Sequence, residues 1–233
     1  MAVPRIIALA AALFAPGGAV AGGNFAPPAG CEVYVTVQHR GCQVSNHYRC
    51  AGDAPGDQWA TYFDSEGPYY LSKIDAETRW LESFDLVTGE GDRLGDQPDA
   101  ASFSTLLSTG RDEYDFSTVE TSGTAIGEVR VFRGFDALTG GRVVIDDIPL
   151  ERTSFEIIAH DAAGQELWRR TGNQLISRDW RIFFADREEF VNSFGDRDSS
   201  LETPVRFDFP GDAGFLSDKP EFDCDMMMTE ARP

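Results

Sequence analysis

The sequence predicts a mainly β chain, a single antiparallel meander forming a curved sheet, barrel or sandwich with one or two short helices. Three observations carry this expectation. Short runs of β-type alternation follow one another along most of the chain. Turn chemistry built from Gly, Asp, Asn and Pro separates them roughly every 8 to 15 residues. Neighbouring runs also lie too close in sequence for the crossover of about a dozen residues that parallel strands need. With 233 residues and a 42% hydrophobic share, one large core can be filled.

Residues 1–21 read as a secretory signal peptide. Arg5 supplies the positive start, residues 6–15 an apolar run, Pro16-Gly17-Gly18 a break, and Ala19-Val20-Ala21 a small-x-small cleavage site. The run is too short to span a bilayer, which takes about 20 helical residues. No transmembrane segment is expected in the mature chain. A lipid anchor at Cys31 is the rival reading, but Pro28-Ala29-Gly30 lacks the usual leucine. Residues 22–30, rich in Gly, Pro and Ala, read as a flexible leader, and residues 31–233 as a single disulfide-pinned β domain.

An exported chain meets an oxidising compartment, so Cys31, Cys42, Cys50 and Cys224 predict two disulfides. With Arg40-Gly41 as the corner of a hairpin between residues 32–37 and 43–48, Cys31 and Cys50 stand equidistant from the turn. Cys42 is then left to tie Cys224 and the C-terminal tail to that hairpin. One objection stands: strict alternation from a two-residue loop lands Cys31 and Cys50 on a hydrogen-bonded pair, where side chains lie farther apart.

The next strands are expected around Trp59-Ala60-Thr61-Tyr62-Phe63, residues 69–74 and residues 79–86, where Trp80, Glu82, Phe84 and Leu86 share one side. Asp99 then caps a short helix in which Phe103, Leu106 and Leu107 share a face and which Gly110 ends. Strands follow at 114–119, 128–135, 142–145, 154–160, 166–171 and 179–184, separated by turns at 138–141, 146–147, 161–164 and 172–173. Residues 186–195 read as another helical turn or a lid with Phe190, Val191 and Phe194 as its apolar side. A last strand at 205–209 leads into a pinned tail.

The segment Cys42-Gln43-Val44-Ser45-Asn46-His47-Tyr48-Arg49-Cys50, with Gly56-Asp57-Gln58-Trp59, Trp80-Leu81-Glu82-Ser83 and the tail from Pro210 to Cys224, resembles a group of uncharacterised exported bacterial proteins. The resemblance spans most of the mature chain and implies export without an activity. In architecture alone, the expected sheet is similar to periplasmic lipoprotein-carrier and lipid-binding folds, in which a curved antiparallel sheet wraps an apolar cavity.

The chemistry is less legible. Twenty Lys plus Arg against 39 Asp plus Glu give a net charge of −19, which argues against nucleic acid and anionic membrane surfaces as partners. His39 and His47 flank Cys42 and Cys50, a donor set suited to copper or zinc, but oxidised sulfur is a poor ligand and no metal is expected there. Asp196, Asp198, Ser200 and Glu202 place oxygens at alternate positions and are weak calcium candidates; the full calcium-loop pattern is missing. No serine elbow, zinc-protease helix or phosphate-binding glycine loop occurs, and no catalytic carboxylate pair can be selected. No cofactor is expected.

The most suggestive residues are Trp59, Trp80, Trp168 and Trp180, since aromatics on successive strands can line a ligand cavity, although packing a β core is the stronger explanation of them. The first expectation is a periplasmic or secreted, non-enzymatic binding module for a small apolar or amphipathic ligand. The second is an envelope interaction or assembly protein whose acidic face meets a partner, and the third a hydrolase of an envelope or extracellular polymer using carboxylates.

Overall fold

A computed structural model describes residues 25–225; the signal peptide expected over residues 1–21 lies outside them. In chain order the elements are β1 (Cys31–His39), β2 (Gln43–Cys50), β3 (Gln58–Phe63), β4 (Pro68–Ile74), β5 (Trp80–Asp85), β6 (Gly91–Leu94), α1 (Phe103–Thr109), β7 (Arg111–Ser122), β8 (Val129–Ile145), β9 (Ile148–His160), β10 (Glu166–Ser177), β11 (Ile182–Asn192), β12 (Arg197–Leu201) and β13 (Pro204–Asp208). All thirteen strands form one antiparallel sheet in the order β12-β11-β10-β9-β8-β7-β6-β5-β4-β3-β2-β1-β13, and its ladder is not closed. The expected meander is thus the fold.

Only β13 leaves the sequence order. Glu202 and Thr203 alone connect it to β12, yet it pairs with β1 at the opposite end of the sheet. Three Cα steps reach roughly 10 Å, so the sheet has to roll until its two ends meet. At the meeting point the Glu202 amide donates to the Asp186 carbonyl of β11, and the Arg40 amide beyond β1 donates to the Thr203 carbonyl, both at 2.9 Å.

Rolling requires strands to bend, and glycine supplies the bends. Gly134 of β8 and Gly172 of β10 sit where a Cβ would collide with the backbone carbonyl oxygens of Glu156 and Arg187 on the next strands. The turn expected at 172–173 is therefore an uninterrupted part of β10. The turn expected at 138–141 is also part of a strand: β8 runs through it with a register shift between Leu138 and Arg142, and Gly140 at φ 78° bends the chain without reversing it. Residues 186–195, expected as helix or lid, mostly continue β11, because pairing with β10 on one side and β12 on the other satisfies their backbone. The helix is capped by Ser102, whose side chain accepts from the Thr105 amide, and not by Asp99; Gly110 ends it as expected.

The first hairpin shows how the cysteines meet. His39 pairs with Gln43, so three residues, Arg40 to Cys42, form the turn in place of the expected two. A bulge between Val33 and Val35 then resets the register and pairs Cys31 with Cys50. The Ala51 amide donates to the Gly30 carbonyl one step farther out, which makes the cysteines a non-hydrogen-bonded pair with Cα atoms 3.9 Å apart. The parity objection is removed by the bulge. Disulfides link Cys31 to Cys50 and Cys42 to Cys224, the pairing the hairpin symmetry selects.

The second disulfide fastens a C-terminal strap over the outer face of β1 and β2. Val35 and Val37 point inward, while Thr36, Gln38 and Asn46 point outward and are nonetheless fully buried. The Gln38 amide donates to the Lys219 carbonyl at 2.9 Å and accepts from the Glu221 amide at 3.0 Å. Asn46 donates to the Ser217 carbonyl at 2.8 Å, and Thr36 accepts from the Leu216 amide at 2.9 Å. These side chains serve the strap's backbone as a ladder strand would. The described part of the leader is held as well: Phe25 packs on Tyr48 and Phe63, with centroids at 5.8 and 5.5 Å, and its amide donates to Leu216.

Two stability outcomes are expected in urea unfolding. Replacing Cys42 and Cys224 together by serine should cost about 2 kcal/mol more than the same change at Cys31 and Cys50, because the sequence separations are 182 and 19 residues and chain-entropy loss grows with loop length. Gly172→Ala should destabilise by at least about 2 kcal/mol, the scale of a backbone-level overpacking; an unchanged midpoint would show that the bend does not need the glycine.

Candidate functional site

The rolled sheet encloses two different interiors. On one side Val35 and Val37 of β1, Leu150 of β9, Leu175 of β10, Ile182 and Phe184 of β11 and Phe207 of β13 pack into a filled core, with Trp180 against Phe184, Phe207 and Phe209. Trp180 is therefore core. Trp59 is elsewhere again: its indole NH donates to Asp53 at 2.8 Å, its ring stacks on Tyr48, and Lys73 lies over it while pairing with Asp53 and Asp57.

Against the filled core lies a buried polar chain. The Ser45 hydroxyl is 2.8 Å from His39 Nε2 and 2.9 Å from His47 Nε2, and His39 Nδ1 is 3.2 Å from the Glu202 carbonyl. A carbonyl can only accept, so His39 carries its proton on Nδ1 and receives the Ser45 hydroxyl proton at Nε2; His47 then donates from Nε2 to Ser45. Burial pushes His39 down to about 4, partly offset by the Glu202 carbonyl, and burial together with neighbouring His39 pushes His47 down to about 3. Both rings stay neutral and serve structure. The histidine-cysteine metal idea fails because all four sulfurs are in disulfides, and among the described residues no group of three or more His, Cys, Asp or Glu could hold a metal ion.

The calcium candidates disperse for a related reason. Asp198 and Ser200 lie in β12, flanked by Asp196 in the preceding turn and Glu202 in the connector. Among the described residues these carboxylates form no group that could hold a metal ion. Asp196 instead accepts from Asn192 at 2.9 Å, closing its own turn.

The other interior is hollow. Strand register lays three inward rows across β7, β8, β9, β10 and β11: Phe116, Phe132, Ala159, Trp168 and Asn192; Tyr114, Gly134, Ile157, Arg170 and Phe190; Asp112, Asp136, Phe155, Gly172 and Glu188. Gly134 and Gly172, the bend glycines, contribute no side chain to two of these rows, and the next strand's backbone takes that space. Trp80 of β5 closes onto Phe116 and Phe132, both at 5.6 Å; Phe132 meets Trp168 at 5.9 Å, and Trp168 meets Phe190 at 6.2 Å. A continuous ladder of rings thus floors a cavity of about 160 Å³. Trp80 and Trp168 line it, whereas Trp59 and Trp180 do not.

Helix α1 stands at one end. Phe103 and Leu106 pack on Ile176, Leu138 and Phe183, and the Glu77 carboxylate holds the helix start by accepting from the Ser104 amide at 2.8 Å and from Arg181 at 2.8 Å.

Polar groups in the cavity fall into two sets. Its cations are committed: Arg79 pairs with Asp75 at 2.6 Å, and Arg170 pairs with Glu188 at 3.2 Å while lying over the Trp168 and Phe190 rings. Asp136 has no such partner. It faces Asp112 across the β7–β8 ladder, and burial, with the Asp112 charge added, pushes its carboxyl up to about 7. Asp112 is also raised by burial, opposed by the Ser102 amide that donates to it at 2.8 Å. Two glutamines that line the same cavity, Gln97 and Gln174, each have an Oε1 buried without a hydrogen-bond partner.

Asp136, Arg170, Gln97, Gln174 and Glu188 escape the sequence reading. One signal was present: Asp136 keeps the parity of Phe132 and Gly134, so it points inward, but ending the strand at residue 135 hides it. Comparison with known protein families, with curated proteins and with solved structures finds no match to this chain. What it does has to come from the cavity itself.

The titrating groups give opposite pH dependences. The unfolded state takes up imidazole protons below about 6.5, so stability is intact above that pH and is lost as pH falls towards 4. Asp136 does the reverse, its contribution being lost as pH rises from about 4 to 7. In NMR titration the His39 and His47 ring signals should not shift through pH 6.5. The Asp136→Asn variant, lacking the opposing group, should lose urea resistance more steeply than wild type between pH 6.5 and 4.5; an equal slope would contradict the assignment.

Proposed function

We propose that this chain is a periplasmic or secreted binding protein that holds a small apolar or amphipathic ligand on the inner face of its rolled sheet. One observation carries the reading: the aromatic ladder is continuous, yet its outermost member, Trp80, keeps 43% of its surface exposed while lining a cavity. An indole left open at the edge of a cavity and packed on buried rings is surface held ready for an apolar guest. A volume near 160 Å³ is of the order that admits one benzene-sized molecule, about 150 Å³ in an engineered cavity. The two disulfides fit a non-reducing setting, and among the described residues no helix is long and apolar enough to cross a membrane.

A second reading is a hydrolase, favoured by the Asp112–Asp136 pair alone. A carboxyl raised to about 7 beside an aromatic floor has the protonation state a general acid needs. It ranks below binding because the carboxyl pair alone favours it, whereas both the aromatic lining and the cavity volume favour a held ligand.

Toluene, a neutral guest close to benzene in size, is the direct probe, read by calorimetry. Wild type should bind it, and Trp80→Ala and Trp168→Ala should each weaken binding about tenfold or more, while Trp59→Ala leaves it unchanged. If all three variants bind as wild type does, the ladder is not the site. Turnover of ester, glycoside or peptide substrates that disappears in Asp136→Asn would establish the second reading in place of the first.

A further inference from the structure

We propose that the cavity selects a ligand with a short apolar body and a primary ammonium head; the inference rests on the binding reading above and names the chemistry of its ligand. Both arginines that line the cavity already have carboxylate partners, Arg79 with Asp75 and Arg170 with Glu188, which leaves no free cation to receive an anionic head. Asp136 carries neither a hydrogen bond nor an ion pair, and its cross-strand neighbour is a second carboxyl, Asp112. Gln97 and Gln174 also line the cavity, each with an Oε1 buried without a hydrogen-bond partner, and either amide can turn that oxygen towards a donor.

An ammonium has three N–H donors and no acceptor, which matches one carboxylate and two amide oxygens. It also brings the positive charge that two facing carboxyls lack. The floor suits the rest of such a molecule: the Trp80 ring attracts a cation as well as an apolar chain, while the Trp168 face already carries Arg170 and offers only apolar contact at its edge. An alcohol would supply one donor and leave the carboxyl charge uncompensated. A carboxylate would add a third negative group to the pair.

Proton linkage follows from the groups around Asp136. On β7 it meets Asp112 and Tyr114, just ahead of β5 stands Arg79, on β10 Arg170 and on β11 Glu188. The arginines are neutralised by their own partners, and burial keeps the Tyr114 hydroxyl protonated. Asp136 is therefore the group whose ionisation the ammonium senses. Raised to about 7 in the free protein, it is mostly protonated at pH 6 and mostly ionised at pH 8, while an alkylammonium, like lysine at about 10.4, stays charged over that range. Affinity for the cation should rise about tenfold from pH 6 to pH 8.

The test uses hexylammonium, 1-hexanol and hexanoate, read by quenching of tryptophan emission and by calorimetry on the full chain. At pH 8 hexylammonium should bind at least tenfold more tightly than 1-hexanol, with hexanoate weakest, and only the amine's affinity should grow from pH 6 to pH 8. Asp136→Asn should bring the amine down to the level of the alcohol and leave the alcohol unchanged. Equal binding of amine and alcohol by wild type, which needs no variant to fold, overturns the ammonium inference and leaves the binding reading standing. A preference that survives Asp136→Asn also overturns it. Failure of all three probes to bind takes down both.

Discussion

The two-residue connector between β12 and β13 is the constraint from which the rest of the molecule follows. A thirteen-strand meander can remain an open, twisted sheet, and its ends then need never meet. Here the chain leaves one edge at Leu201 and begins pairing at the other edge at Pro204. Closing that gap forces the sheet to curl, and curling creates an inside. The closure is built from backbone: Glu202 and Thr203 bond to β11 and to the residue after β1, and the Glu202 carbonyl also sets the tautomer of His39. The histidine chain is thus a satisfied polar seam at the point where the roll shuts.

An inside of this size cannot be filled evenly. Where β1 and β13 press onto β9, β10 and β11, valine, leucine and phenylalanine fill the space, and the strap on the outer face buries β1 from both sides. Farther round, the same inward parity runs through Gly134 and Gly172, which have no side chains to contribute. Neither glycine lines the cavity, because the carbonyls of Glu156 and Arg187 already occupy the direction a Cβ would take. The cavity is lined instead by residues from just ahead of β5 to β11 and not by β1.

The meander, most strand positions and the disulfide pairing were legible in the sequence because each rests on local pattern: alternation, turn chemistry and distance from a hairpin corner. Two errors came from reading glycine as a turn. Gly140 and Gly172 bend strands that continue, and only long-range pairing distinguishes a bend from a reversal. Strand β6 was too short to show alternation, and β12 carries the acidic positions that had looked like a loop. Of the four tryptophans, sequence could not separate Trp80 and Trp168, which meet the cavity, from Trp59 and Trp180, because the distinction depends on which part of the roll each strand reaches. Asp136 was recoverable from parity alone, but its lack of a partner was not.

The closure admits one direct measurement. Native-state hydrogen exchange on the full chain should show the Arg40 and Glu202 amides opening only with global unfolding, as slowly as those of Val35 and Leu175, because releasing either requires the sheet ends to part. If these two amides exchange as fast as that of Phe194 in the exposed turn while the core stays protected, the roll is not held at the connector and the account of its interior is wrong.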